Sequence, residues 1–190
     1  MGKIIGIHGK AGSGKDTVAD YLLDFWRSDF RSLAFADPIR SAMKEIFGWD
    51  DSHFQHPKKN EVDPVFNISP RKAMQLLGTE WGRNLVNDKL WLILAEKKTE
   101  PLIGAGFNVL FRDCRFENEA EWIRKNGGVI WHIERDAKNI TSGAGTEKAH
   151  VSEAGIKFVK GDKRINNNET LGYLYDAVDN LAEALVNESL

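Results

Sequence analysis

A short apolar run, Lys3-Ile4-Ile5-Gly6-Ile7-His8, leads directly into a glycine-rich stretch, Gly9-Lys10-Ala11-Gly12-Ser13-Gly14-Lys15-Asp16-Thr17. From Val18 to Trp26 the chain then places Val18, Leu22 and Phe25 at helical spacing. Strand, glycine loop and helix in that order are what a phosphate cradle requires. Gly9, Gly12 and Gly14 let the backbone turn tightly and aim successive N–H groups inward, where the helix N-terminus adds its partial positive charge. Lys15 supplies a full charge for the β- and γ-phosphates. The pattern G-x-x-x-x-G-K-[ST] is met from Gly9 to Lys15 and departs at Asp16, where a hydroxyl normally meets Mg²⁺. A carboxylate there reaches the metal directly or through water, or leaves it to Thr17 and a distant acid; Asp16 and Thr17 are the candidate metal ligands. Gly9, Lys10, Gly12, Ser13, Gly14, Lys15, Asp16 and Thr17 make up the candidate ATP-binding set.

A chain of 190 residues suits one domain with a sizeable core. Its net charge of −2, with 28% charged residues, argues against coating nucleic acid, which needs a strong basic excess. The single cysteine, Cys114, excludes an intramolecular disulfide, and its apolar setting reads as a buried inert thiol. No signal-peptide pattern and no apolar run near ~20 residues are present, so a soluble, cytoplasmic protein without membrane contact is expected.

Along the chain, Ser32–Ala36 reads as a second strand, and Asp37 as the N-cap of a helix entered through Pro38, with Ile39, Met43 and Ile46 facing inward. Residues 48–69 lose periodicity and read as a long polar loop; its His53 and His56 have no cysteine partner for a metal site. Ser69-Pro70 opens a helix running to Leu85, on which Arg71 and Gln75, four apart, share a face. A further helix spans Asp88 to Lys98. Gly106–Phe111 reads as a buried strand with Asp113 just beyond it, Glu119 opens a helix closed by Asn126-Gly127-Gly128, and Val129–Glu134 is the next strand, with His132 a core residue. Residues 136–152 read as a lid. Ile156–Val159 or Arg164-Ile165 supplies the last strand, and Leu171, Leu174, Val178, Leu181 and Leu185 mark a final helix. Alternating strands and helices predict an α/β fold: a parallel five-stranded sheet with helices on both faces, plus an acceptor-binding helical region at about 37–98 and the lid.

A phosphate loop serves kinases, switches and motors alike. No Asn-Lys-x-Asp guanine-reading motif occurs, and Arg40, Arg71, Arg83, Arg115, Arg135, Asp37 and Asp113 are suited to binding a second phosphorylated molecule opposite ATP. The stretches Gly9–Thr17, Phe35-Ala36-Asp37-Pro38, Arg71 with Gln75-Leu76-Leu77-Gly78-Thr79-Glu80, Asp113-Cys114-Arg115-Phe116-Glu117-Asn118-Glu119-Ala120 and His150-Val151-Ser152-Glu153 resemble the bacteriophage deoxynucleoside monophosphate kinases. Asp16 belongs to that pattern. The resemblance, from the first strand to the Ile165-Asn166 turn, implies transfer of the ATP γ-phosphoryl group to a deoxynucleoside 5′-monophosphate with Mg²⁺. It implies a P-loop kinase domain, a homodimer and residence in the cytoplasm of a host cell. Lys15, Arg115 and Arg135 are then the catalytic cations, and Asp37, Arg40, Arg71, Gln75, Asp113, Arg115 and Glu119 the acceptor-site residues. By analogy with related kinases, Asn166-Asn167-Asn168 lies near adenine. Two other readings stay open at this point: a kinase of another phosphorylated acceptor, phosphomevalonate-like or dephospho-coenzyme A-like, and a non-catalytic ATP-binding regulatory module.

Overall fold

The computed structural model describes residues 2–136 and 155–187. In chain order its elements are β1 (Ile4–His8), α1 (Lys15–Phe25), β2 (Phe30–Leu33), α2 (Asp37–Phe47), two 3₁₀ turns (Asp51–Phe54 and Lys58–Asn60) and α3 (Pro70–Gln75). A π-helix (Leu76–Val86), α4 (Leu90–Gly104), β3 (Asn108–Phe111), α5 (Glu117–Lys125), β4 (Val129–Glu134), β5 (Lys163–Asn166) and α6 (Leu171–Asn187) follow. The chain divides into two compact units, Met1–Ala34 with Lys98–Leu190, and Phe35–Lys97.

The first unit is built on one parallel sheet in the order β2-β3-β1-β4-β5. β1 is central and apolar on both sides, as parallel strands covered by helices must be. Ile5 and Ile7 join Val18, Ala19 and Leu22 of α1 and Leu174, Val178 and Ala182 of α6 in the main core. Gly6 points the other way, since successive strand residues alternate faces. A methyl on Gly6 would stand 2.7 Å from both Ile123 Cδ1 of α5 and Ile130 Cδ1, so its bare backbone is what lets α5 seat on that second face. Gly127, at φ +74°, ends α5 as the spacing predicts.

The second unit has its own small core of Ile39, Met43, Trp49, Ala73 and Trp91. Ser69 accepts from the Lys72 backbone N–H and Pro70 takes the first helical position, as read from the sequence. Residues 48–69 are more ordered than their composition suggests. Trp49 is buried and donates from its indole to Asp63 Oδ2 at 2.8 Å, and Asp63 and Ile68 form an isolated antiparallel bridge. His53 is spent in a capping box with Asp50.

Several local expectations shift. Phe25 and Ile46, placed inward by periodicity, are 73% and 61% exposed. Phe25 lies at the end of α1, against Tyr21. β2 sits two residues earlier than predicted, because Phe30 to Leu33 pair with Asn108 to Phe111. α2 is capped by Ala36 without a side-chain bond, while Asp37, the expected cap, forms an ion pair with Arg40 at 3.2 Å. α4 runs through Pro101 to Gly104, beyond the predicted end at Lys98. The last strand is the Arg164-Ile165 alternative, and Leu171 is exposed. Residues 137–154, which hold most of the predicted lid and the His150–Glu153 stretch, lie outside the described residues. Among the described residues no helix is long and apolar enough to cross a membrane.

Candidate active site

Parallel strands bring their carboxyl ends to one edge of the sheet, and the first unit's chemistry collects there. β1 ends at His8, and the Gly9–Gly14 loop leads into α1, whose first residue is Lys15. Gly12 and Gly14 have φ of +76° and +96°, conformations that a side chain would strain. Gly9 is required by proximity: a methyl there would run into Ser13 Oγ and the Ile133 carbonyl. The Ser13 hydroxyl, 1% exposed in the residue as a whole, has no hydrogen-bond partner among the described residues. A buried hydroxyl left unpaired is costly, and in a glycine loop at a helix N-terminus it fits an anion that accepts from it.

Asn167, in the turn after β5, donates from Nδ2 to the Ser13 carbonyl at 2.8 Å, and its own N–H bonds to the Glu134 carbonyl at 2.8 Å. Its amide also fills the space a Gly14 side chain would need. The Asn166-Asn167-Asn168 turn thus braces the loop, a task the sequence does not announce because its two ends are 154 positions apart.

His8 is the second unannounced residue. Its Nδ1 lies 3.1 Å from the Cys114 carbonyl, which only accepts, and its Nε2 lies 3.3 Å from the Ile156 N–H, which only donates. The ring is therefore the neutral Nδ1–H tautomer. Burial is the main reason that its pKa falls below the ordinary value, with His132 and Lys15 adding to the effect against the opposing Cys114 bond. Cys114 itself is buried, and burial pushes its thiol well up, which makes it the inert core residue expected.

Behind this edge lies a charged network. Arg124 bonds Asp162 through Nε at 3.2 Å and Nη2 at 2.7 Å, and Glu117 through Nη1 at 3.1 Å. Asp162 also accepts from His132 Nε2 at 3.1 Å and from the Val159 N–H at 3.0 Å. Burial pushes the Asp162 carboxyl up, but these donors outweigh it and hold it below the usual carboxylate range. The Glu117 carboxylate accepts the Lys157 N–H and Arg124 Nη2 donates to the Lys157 carbonyl, so this network anchors the start of the segment leading to β5.

The remaining candidates divide between the units. Asp113 is buried just past β3, and Arg115 and Arg135 are exposed beyond β3 and β4. Glu119 opens α5 as expected: it is 2% exposed, and its Oε2 accepts the Arg115 and Phe116 N–H groups at 2.8 and 3.0 Å, capping its own helix. Asp37 and Arg40 start α2, and Arg71 and Gln75 lie half-buried on α3, all in the second unit. Asp16 is exposed and Thr17 half-buried in the first turn of α1. Among the described residues no group of three or more His, Cys, Asp or Glu could cage a metal. Mg²⁺ asks for less, since it keeps several waters and takes one or two protein oxygens beside substrate phosphates, and Asp16 with Thr17 fits that demand.

The family model for deoxynucleotide monophosphate kinases matches residues 53–178. The chain belongs to that family. A relative from Acanthamoeba polyphaga mimivirus is 31% identical over 193 residues, covering 92% of this chain and 93% of its own. The deoxynucleoside-5′-monophosphate kinase of Escherichia phage T5 is 26% identical over 223 residues, covering 82% and 86%. In fold alone, the family chain is similar to the APS kinase of Mycobacterium tuberculosis in complex with AMPPNP and APS, with a TM-score of 0.55, 12% identity and 98% of each chain covered. The α/β fold with its five-stranded parallel sheet is thus the one that the alternating strands and helices predict.

Proposed function

We infer that this chain is a deoxynucleoside monophosphate kinase, moving the γ-phosphoryl group of ATP onto a deoxynucleoside 5′-monophosphate to give the diphosphate and ADP. The observation that carries the reading is a complete phosphate cradle, Gly9 to Lys15 at the end of the central strand, in a chain of the deoxynucleotide monophosphate kinase family. In the reaction an acceptor phosphate oxygen forms a bond to Pγ, the bond from Pγ to the β,γ-bridging oxygen breaks, and ADP leaves with that electron pair. The acceptor oxygen is already anionic, so no strong base is needed, and positioning with charge neutralisation does most of the work.

The loop N–H groups, the Ser13 hydroxyl and Lys15 bind the ATP phosphates. Asp16 and Thr17 would hold Mg²⁺, which when bound neutralises phosphate charge. Arg115 and Arg135 neutralise the transferring group, a role worth ~10³-fold or more in rate. Asp37, Arg40, Arg71, Gln75 and Asp113 bind the acceptor, Arg71 at its phosphate and Gln75 near its base. Glu119 acts one step back, by fixing the backbone at Arg115. Residues 136–152 serve as a lid, and truncating them raises ATP hydrolysis relative to transfer. ADP production with MgATP and each of dTMP, dGMP, dCMP, dAMP and their ribose counterparts tests the assignment, with Lys15→Ala as control. Turnover with a deoxynucleotide that is lost in the variant supports it. No turnover with any nucleotide overturns it and turns the search to other phosphorylated acceptors.

A further inference from the structure

The helix that carries Arg71 and Gln75 changes character where α3 passes into the π-helix Leu76–Val86. π-helical turns cluster at functional sites and are mostly single turns, so an eleven-residue run calls for a reason. Two contacts within the second unit accompany it. Trp91 donates its indole N–H to the Gly78 carbonyl at 2.7 Å. Its ring lies so close to Gly82 that a methyl there would stand 2.9 Å from Cε2, and a methyl on Gly78 would stand 2.8 Å from Ile39 Cδ1. Both glycines are buried, and they give the widened backbone a flat face to rest on.

The wider turn alters which side chains share a stripe. At about 3.6 residues per turn, positions four apart drift by roughly 40°, so in an unbroken α-helix Arg83 would stand about 120° round from Arg71. At the roughly 4.4 residues per turn that i→i+5 bonding imposes, four residues fall just short of a full turn and the drift reverses, by about 30° per step. Gln75, Thr79 and Arg83 then return to within a few tens of degrees of Arg71. Burial agrees with this: Arg71, Gln75, Thr79 and Arg83 are all half-buried. They are flanked on one side by buried Gly78 and Gly82, and on the other by the exposed Leu76, Trp81 and Leu85.

We propose that Thr79 and Arg83 complete the acceptor-recognition stripe begun by Arg71 and Gln75, and that the π register is what places them on it. This rests on the kinase reading above, because Arg71 and Gln75 are acceptor residues only under it. The chemistry suits a nucleoside monophosphate. A guanidinium donates only and pairs with phosphate or keto oxygens, a hydroxyl donates or accepts, and the Gln75 amide does both. Arg83 binds acceptor oxygens of the nucleotide, whether on its phosphate or on its base, and the spread of effects across bases separates the two.

The test is equilibrium binding of dTMP, dGMP, dCMP and dAMP to the full chain without ATP, by titration calorimetry, together with the transfer assay. Arg83→Gln, Arg83→Lys and Thr79→Val are compared with Lys72→Gln, an exposed charge on the same helix and off the stripe. Loss of a hydrogen bond to a charged group predicts about 10- to 100-fold weaker nucleotide binding for Arg83→Gln. Arg83→Lys recovers part of it, Thr79→Val loses about 3- to 10-fold, and Lys72→Gln changes nothing. The ATP KM and the thermal midpoint stay where they were. A uniform loss across the four nucleotides marks a phosphate contact, and a loss confined to the keto bases marks a base contact. Unchanged binding in Arg83→Gln, or an ATP KM that rises in parallel, overturns the proposal while leaving the kinase reading intact. Nucleotide binding without turnover, or no binding of any nucleotide to the unaltered chain, overturns the kinase reading and the proposal that rests on it.

Discussion

Replacing Asp162 with Asn removes one oxygen and one charge from a carboxylate that accepts four hydrogen bonds. The side chain of Asp162 is 2% exposed and that of Arg124 17%, so solvent offers little compensation. Oδ2 accepts from Arg124 Nη2, His132 Nε2 and the Val159 N–H, and Oδ1 accepts from Arg124 Nε. Whichever way the amide is turned, its NH₂ must face at least one of these donors. Breaking a buried pair by removing one partner costs about 3–5 kcal/mol, and the second partner Glu117 of Arg124 argues for the lower end. At about 2–4 °C per kcal/mol for a chain of this size, a loss of ~3 kcal/mol lowers the melting temperature by roughly 6–12 °C. Thermal unfolding followed by circular dichroism at neutral pH measures it. A shift below about 2 °C would refute the reasoning, because the desolvated carboxylate would then not be holding Arg124 and the Lys157–Val159 backbone.

Asn167→Ala removes the brace on the Ser13 carbonyl and should raise the ATP KM about 3- to 10-fold, the value of one hydrogen bond, with the acceptor KM unchanged; equal shifts in both would mean a general loosening instead. His8 has a folded pKa below its unfolded value near ~6.5, so below that pH the unfolded chain binds more protons. Stability should therefore fall as pH drops from about 6.5 towards the folded pKa, above the range where carboxylates protonate. In His8→Gln, which keeps one donor and one acceptor, the slope of unfolding free energy between about pH 6.5 and 5 should flatten, and an undiminished slope would assign it to other groups. Leu22→Ala, at a fully buried position in the main core, should cost about 2–5 kcal/mol in denaturant unfolding, with the slope of that transition preserved.

The features legible from sequence are those whose cause lies within a few residues. The phosphate loop follows from glycines that must take positive φ or admit a close neighbour, the start of α3 from Ser69 and Pro70, and the end of α5 from Gly127. β1, β3 and β4 are apolar runs that admit one reading. Periodicity names the apolar side of a helix and leaves open whether anything covers its last turn, so Phe25 and Ile46 emerged exposed. Glu119 is legible from the other side: it reads as opening a helix, and its carboxylate caps α5 through the Arg115 and Phe116 N–H groups.

Long-range contact decided the rest. The order β2-β3-β1-β4-β5 puts β1 between strands that lie over a hundred residues beyond it, and that is what brings His8 to Cys114 and Ile156, and Asn167 to Ser13. The Arg124–Asp162–His132 network joins α5, β4 and the approach to β5, and no local spacing announces it. The π-helix is the plainest case: residues 70–86 carry an ordinary helical pattern, and the register is wound wider in the fold where Trp91 lies across Gly78 and Gly82. The sequence alone determined the glycine loop after β1 because its geometry is a property of consecutive backbone. Only the tertiary structure determined what braces that loop and which side chains share a stripe with Arg71, because those depend on neighbours that meet only once the chain has closed.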